Sequence, residues 1–376
     1  MSPGGLPIAR LFGIEIRVSF TWAILVAIVT FIGAQQAALS APSLAAPLQW
    51  LVGALIAVGF LLSVIAHELA HALTGRRRGV PVTSIVLGFV GGLAPLTIQA
   101  SRPRDELAIA VAGPAVSIGL AAGFIAGGFA AGAANVGAAA GSLVVLGALN
   151  LILALLSLLP GMPLDGGRIV RAIAWARTKD EERAGRATAR VGRLLGFLVM
   201  GIGIAAALAD YATEGLLVIA LGWLLTTGAR TLDRRLGLEK LLRGVRVGDA
   251  MTADPPFVGP NLTVDTFASR YEGPDAVPAL AVVDDERVLG IVGRKRLQRL
   301  GRRRFGSTRA ADVMSVPPAA PLLAPDDALW DALDVMNAGG LEGLAVAVEG
   351  RLAGMLTRDG VAQAVRTRAQ AEAAAR

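Results

Sequence analysis

Long stretches with few or no charges run through the first 232 residues of the chain, whereas charged and apolar positions are mixed from residue 233 onward. A hydrocarbon layer about 30 Å thick requires roughly 20 helical residues to cross it. Stretches close to that length predict six transmembrane helices, at residues 19–36, 50–75, 107–131, 138–159, 194–209 and 214–230. We therefore expect a polytopic α-helical membrane domain followed by a globular domain.

One apolar segment, residues 80–100, departs from this pattern because Gly91, Gly92 and Pro95 interrupt it. Valine, isoleucine and threonine residues before a Gly-Gly pair are typical of a short β-hairpin rather than of a helix. We expect a small β element here, and an interfacial loop is the alternative.

The net charge of +7 is unevenly distributed among the loops between the predicted spans. The loops after spans one and three contain no lysine or arginine, and the loop after span five contains only acidic charges. Short loops rich in lysine and arginine stay in the cytoplasm. The basic residues therefore place both termini in the cytoplasm, and they argue against a nucleic-acid partner. These residues follow span two (Arg76, Arg77, Arg78, Arg102 and Arg104) or precede span five (Arg168, Arg171, Arg177, Lys179, Arg183, Arg186, Arg190 and Arg193).

The absence of cysteine from the chain excludes disulfides and thiolate metal ligands. The first 20 residues lack the pattern of a cleavable signal peptide, so span one is expected to be an uncleaved anchor. Abundant glycine, alanine and arginine with few lysines indicate a bacterial protein.

The chain has two histidines, His67 and His71, and they lie four residues apart in a predicted membrane helix. Residues at that spacing share one face of an α-helix, so two imidazoles can bind one zinc ion. Glu68 follows the first histidine, where a carboxylate can take a proton from a water molecule on the metal. A chance occurrence of this pattern is the alternative, but it would leave a buried carboxylate at membrane depth, which costs at least ~2.5–3.5 kcal/mol.

Catalytic zinc usually has three protein ligands, and without a third histidine or a cysteine the missing ligand should be a carboxylate. Asp165 is the candidate, because it follows a break with two prolines and a glycine at the end of the fourth span. Irregular backbone at membrane depth is tolerated only inside protein or along a watery cavity. An interfacial turn with a capping aspartate is the alternative.

These motifs resemble the site-2 protease family of intramembrane metalloproteases. The resemblance rests on His67-Glu68-Leu69-Ala70-His71, Pro163-Leu164-Asp165-Gly166-Gly167, Gly113-Pro114 and the lead-in Phe12-Gly13-Ile14-Glu15-Ile16-Arg17-Val18, and it covers most of residues 10–235. It implies that His67, His71 and Asp165 bind zinc and that Glu68 is the general base. It also implies that the β element lies near the active site, where a strand edge could pair with an unwound substrate.

The chain departs from the family at one position. An asparagine that helps to bind the substrate carbonyl usually stands eight residues before the aspartate, and here that residue is Ser157. Asn150, two helical turns earlier, is a possible substitute. Because one oxyanion donor is commonly worth ~2.7–4 kcal/mol, this departure bears on rate rather than on metal binding.

Residues 245–302 and 308–370 are expected to be two copies of one unit, because Asp249-Ala250-Met251 recurs as Asp312-Val313-Met314. The repeated pattern of strand, helix, two strands and helix resembles the tandem CBS module. The resemblance implies an α/β cytoplasmic module that dimerises and often binds adenine nucleotides. The second copy has Thr357 and Asp359 near the family's phosphate- and ribose-binding positions, although the acidic position itself is Gly360. A purely structural dimerisation module is the alternative.

The predicted domains are a transmembrane metalloprotease domain (residues 1–235), a linker (236–244) and two CBS repeats (245–302 and 308–370). The resemblance implies an intramembrane zinc endopeptidase that cleaves a single-pass regulatory membrane protein, such as an anti-sigma factor, within the lipid bilayer of the cell membrane. A CBS-regulated transporter and a catalytically inactive family member that acts as a binding protein are the alternatives.

Overall fold

The computed structural model describes residues 5–88, 91–92, 100–271 and 276–374. The chain divides into two compact units, one that ends at Leu236 and one that begins at Gly237.

The first unit is built from helices. They are α1 (Trp22–Ser40), α2 (Ala46–Arg77), α3 (Pro103–Ala133), α4 (Gly137–Ser157), α5 (Asp165–Thr178), α6 (Glu181–Leu208) and α7 (Ala212–Leu242). All of these except α5 are long and apolar enough to cross a membrane. The six predicted spans are thereby confirmed.

The start of the fifth span was predicted too late. Helix α6 begins at Glu181 rather than at residue 194, and Asp180 caps it by accepting a hydrogen bond from the backbone N–H of Arg183 at 3.0 Å. Its first turns are rich in charge, so a search for uncharged stretches excludes them. The basic segment before the fifth span is therefore mostly helical, as α5 and the start of α6.

A four-stranded sheet accompanies these helices, in the order β1 (Leu6–Leu11), β2 (Ile14–Val18), β3 (Ser84–Gly88) and β4 (Gly91–Gly92). β3 and β4 are antiparallel and form the predicted hairpin, while residues 93–99 lie outside the described residues. β3 also pairs in parallel with β2, with Ile16 opposite Ile85, a pairing that the sequence analysis did not anticipate. The buried side chains of β2 and β3 share one apolar core with Ile65, Leu69 and Ala72 of α2.

The second unit is an α/β module. Its elements are β5 (Thr252–Ala253), β6 (Phe257–Val258), α8 (Val264–Phe267), β7 (Ala279–Asp284), β8 (Arg287–Gly293), α9 (Arg294–Leu300), α10 (Ala310–Val313), α11 (Leu329–Gly339), β9 (Gly343–Val348), β10 (Arg351–Thr357) and α12 (Arg358–Ala374). The antiparallel pairs β7–β8 and β9–β10 are equivalent parts of the two predicted copies. Because β5 of the first copy pairs with β10 of the second, the copies form one sheet.

Candidate metal centre

Helix α2 carries three buried ionisable side chains within five consecutive residues: His67, Glu68 and His71. The spacing of four residues puts both imidazoles on one face, and their Nε2 atoms lie 3.2 Å apart. The two imidazoles thus lie side by side on α2, as their spacing predicts.

Asp165 lies against these two imidazoles. Its Oδ2 atom is 3.3 Å from Nε2 of His67 and 3.2 Å from Nε2 of His71. Asp165 is the first residue of α5, the N-cap position is Leu164, and no side chain caps the helix. The carboxylate therefore faces the histidines rather than the helix end, which argues against the alternative of a capping aspartate.

The two glycines after Asp165 explain how α5 can begin at this point. A Cβ on Gly166 would lie 2.1 Å from the carbonyl oxygen of Leu158, and one on Gly167 would lie 2.6 Å from the carbonyl carbon of Gly161. The first turn of α5 thus packs directly on the backbone of the preceding loop. Larger residues here would push α5, and Asp165 with it, out of position.

The three ligand atoms fit a zinc ion. They form a triangle with sides of 3.2, 3.2 and 3.3 Å. Around a tetrahedral zinc with bonds of ~2.0–2.1 Å, neighbouring ligand atoms lie about 3.3 Å apart. Among the described residues, His67, His71 and Asp165 form the group of potential metal ligands whose donor atoms lie within 4.8 Å of one another.

Helix α3 orients the two imidazoles from behind. Nδ1 of His71 lies 2.7 Å from the carbonyl oxygen of Ile109, and Nδ1 of His67 lies 2.8 Å from Oγ of Ser117. A carbonyl oxygen can only accept, so Nδ1 of His71 carries the proton and its Nε2 has a free lone pair. Such partners fix which nitrogen is available to a metal. Neither partner is predictable from the sequence, because tertiary packing selects both.

Gly113 of α3 lies between these two contacts. A Cβ at this position would be 2.2 Å from Nε2 of His71 and 2.6 Å from Nε2 of His67. The backbone of α3 therefore borders the space into which both nitrogens point. Only glycine leaves that space free.

The two candidate substrate-binding residues differ in their hydrogen bonds. Asn150 donates from Nδ2 to Oγ of Ser63 at 3.1 Å and to the carbonyl of Leu146 at 2.8 Å, which uses both of its N–H groups. Ser157, the last residue of α4, donates from Oγ to the carbonyl of Ala154 at 3.0 Å. A hydroxyl bonded to its own helix can rotate, so Ser157 is the better placed of the two to donate to a substrate.

The candidate nucleotide-binding residues flank the start of α12. Oγ1 of Thr357 accepts a hydrogen bond from the backbone N–H of Gly360 at 3.2 Å, so the hydroxyl caps that helix. Asp359 is exposed in the first turn. A Cβ on Gly360 would lie 2.3 Å from the carbonyl oxygen of Ala250, which explains why an acidic residue cannot occupy that position here.

Models of two known protein families match residues in the two units. The model of peptidase family M50 matches residues 55–143 and 129–199, and the CBS domain model matches residues 247–302 and 310–367. The zinc metalloprotease Rip3 of Mycobacterium tuberculosis is 34% identical over 363 residues, which cover 96% of this chain and 92% of that protein. A zinc metalloprotease of Synechocystis is 28% identical over 365 residues and 96% of each chain.

Solved structures match parts of the chain. The site-2 protease of Methanocaldococcus jannaschii is 23% identical, with a TM-score of 0.41 over 61% of this chain and 95% of its own. CBSX2 in complex with AMP is 27% identical, with a TM-score of 0.28 over 33% of this chain and 98% of its own.

Proposed function

The chain belongs to peptidase family M50, the site-2 protease family, and is a multi-pass zinc metalloprotease with a tandem CBS module; we propose that it cleaves peptide bonds of membrane proteins at the centre formed by His67, His71 and Asp165. The observation that carries this proposal is the triangle of three ligand atoms, 3.2–3.3 Å on a side, inside the helical unit.

The proposed roles follow from what each side chain can do. His67 and His71 offer their Nε2 atoms and Asp165 its Oδ2 atom as ligands. A zinc ion held there would lower the pKa of a bound water towards ~7 and polarise the substrate carbonyl. Glu68 adjoins the first ligand on the buried face of α2 and accepts the proton of the attacking water. Its conjugate acid then protonates the leaving amide nitrogen.

Ser157 is the proposed donor to the substrate carbonyl. Both N–H groups of Asn150 are already engaged, whereas the Ser157 hydroxyl needs only to rotate away from Ala154. Asn150 instead joins α4 to Ser63, one helical turn before His67, and supports the helix that carries the histidines. Its Oδ1 is buried without a partner among the described residues.

The proposed substrate is a single-pass regulatory protein of the membrane, such as an anti-sigma factor. The buried centre within apolar helices supports a substrate that arrives through the lipid bilayer. A helical substrate has to become extended before cleavage, and the β3–β4 hairpin is proposed to pair with it. β3 pairs with β2 on one side and with β4 on the other, so among the described strands the edge proposed to receive a substrate is the outer side of β4.

The tail is proposed to regulate this activity. The match to two CBS domains and the hydroxyl of Thr357 support an adenine nucleotide as ligand, with Asp359 beside it, and the module is proposed to join two copies of the chain. The arginine-rich segments support cytoplasmic termini. The abundance of glycine, alanine and arginine with few lysines supports a bacterial cell membrane. The proposed boundaries remain 1–235, 236–244, 245–302 and 308–370.

Purified protein reconstituted with a single-pass model substrate tests the proposal. Glu68→Gln should bind zinc as the wild type does and should cleave ~10²–10⁴-fold more slowly, because only the proton acceptor is lost. Glu182→Gln, which changes a half-buried acidic residue that pairs with Arg186 within α6, is the matched control and should cleave normally. Equal cleavage by Glu68→Gln and the wild type would refute the protease mechanism. Zinc binding without any cleavage by the wild type would support the inactive binding protein instead.

A further inference from the structure

One buried stripe of α3 extends over about three turns beside the metal centre and α5. Glu106, Ile109, Gly113 and Ser117 follow one another at intervals of three or four residues, which puts them on the same side of the helix. All four are buried. Ile109 and Ser117 contact the histidines and Gly113 borders their Nε2 atoms. Three members of the stripe therefore contact or border the two histidines.

The fourth member, Glu106, contacts α5 instead. Its carboxylate is completely buried and lies between two arginines: Oε1 is 3.2 Å from Nε of Arg168, and Oε2 is 2.9 Å from a terminal nitrogen of Arg171. Arg171 is also buried and pairs with Glu181, the first residue of α6, at 3.3 Å. The ion pairs thus join the beginning of α3 to α5 and α6.

Both arginines belong to the helix that begins at Asp165. They follow it by three and six residues, which is one turn and nearly two turns of α5. The loop before Asp165 contains two prolines and one glycine, and the first turn of α5 packs on its backbone. The ion pairs with Glu106 connect α5 to the same helix that orients both histidines.

On the basis of the proposed metal centre, we propose that Glu106 is a positioning residue: it holds α5 through Arg168 and Arg171 so that the Asp165 carboxylate stays within reach of both histidines. The stripe of α3 then positions all three ligands. It orients the two imidazoles through hydrogen bonds and holds the Asp165 carboxylate in place through the ion pairs. Partners that orient metal ligands commonly change metal affinity ~10–100-fold when they are removed.

The test is a double-mutant cycle on the full-length protein in detergent, with zinc affinity as the readout. Zinc dissociation constants are measured by competition with a chromophoric chelator for the wild type, Glu106→Gln, Asp165→Ala and the double variant. Glu106→Gln should weaken zinc binding ~10–100-fold in the wild-type background. In the Asp165→Ala background the same change should cost less than about twofold, because the ligand through which Glu106 acts has gone.

Asp105→Asn is the matched control. Asp105 is the neighbouring acidic residue in the first turn of α3, but it pairs with Arg78 of the segment after α2 at 2.7 Å and not with α5. Its zinc affinity should equal that of the wild type. The visible spectrum of the cobalt-substituted protein provides a second readout, and it should change in Glu106→Gln and stay unchanged in Asp105→Asn.

The outcomes separate the positioning role from the metal site itself. If Glu106→Gln weakens zinc binding equally in both backgrounds, or not at all, Glu106 does not act through Asp165 and the positioning role is refuted while the metal centre stands. If Asp165→Ala binds zinc as tightly as the wild type, the ligand assignment fails and the positioning role fails with it. Should Glu106→Gln not fold, Arg168→Gln removes the less buried of the two pairs and has to show the same dependence on Asp165.

Discussion

Gly113 decides whether an ion fits between the two histidines. The side chains of His67 and His71 point their Nε2 atoms at the space beside this residue, and a Cβ there would stand 2.2 and 2.6 Å from those nitrogens. At such distances the added carbon would occupy the region that a bound ion needs, or would turn one imidazole away from it. Glycine at position 113 is thus as necessary for ion binding as the proposed ligands are.

Gly113→Ala should therefore lose zinc, with at least ~10-fold weaker affinity and a corresponding loss of cleavage. Insertion of the methyl group should also destabilise the helical unit by ~1–3 kcal/mol. Gly119→Ala is the control in the same helix, because a Cβ on Gly119 would meet no atom within 4 Å. Metal analysis and thermal unfolding of both variants test this prediction, and normal zinc content in Gly113→Ala would contradict it.

Individual residues of the site were predictable to different degrees. His67, Glu68 and His71 follow from their spacing on one helix, and Asp165 follows from the need for a third ligand and from the break in the chain before it. The structure brings ligand atoms of His67, His71 and Asp165 within 4.8 Å of one another, and Glu68 is buried on the same helix as the histidines. Ser117 and the carbonyl of Ile109 were not predictable, because their roles depend on which turn of α3 packs against α2.

At the level of secondary structure, the length of the uncharged stretches predicted the six spans. Helical segments that carry charge were not predicted in this way. Helix α5 is amphipathic and the first turns of α6 are rich in arginine and glutamate, so neither stands out as an apolar stretch. The strand β2 was missed for a different reason. Its pairing partner β3 lies 66 or more residues later in the chain, and such long-range pairing is not visible in local sequence.

These missed elements are the ones that support the centre. Helix α5 begins with Asp165 and carries Arg168 and Arg171, which pair with the buried Glu106. Breaking a buried ion pair by removing one partner commonly costs ~3–5 kcal/mol, because a charge is left uncompensated. The position of Asp165, the proposed third ligand, therefore depends on charged residues in a segment that was predicted to be a loop.

At the level of the whole molecule, a helical membrane unit and a tandem CBS module occur in one chain, and the match to Rip3 over 96% of this chain includes both. The repeat of the sequence pattern predicted the module correctly. The pairing of β5 with β10 could not be predicted, because it joins residues about 100 positions apart and such long-range pairing is not visible in local sequence.

The tail should bind an adenine nucleotide in the full-length protein. Calorimetric titration with AMP, ATP and S-adenosylmethionine should give saturable binding of an adenine nucleotide, and Thr357→Val should weaken it because the hydroxyl beside the start of α12 is lost. Thr357→Ser keeps the hydroxyl and should bind normally. If none of the three compounds binds to the wild type, the module is structural.

The central claim, that His67, His71 and Asp165 hold one zinc ion, is tested most directly by X-ray absorption at the zinc edge on the purified protein. We expect one zinc per chain, with two imidazole nitrogens and a carboxylate oxygen among four ligands at ~2.0–2.1 Å. In Asp165→Ala the carboxylate oxygen should disappear from the coordination shell while the imidazoles remain. A zinc ion without histidine ligands, or an identical shell in the wild type and Asp165→Ala, would contradict the account.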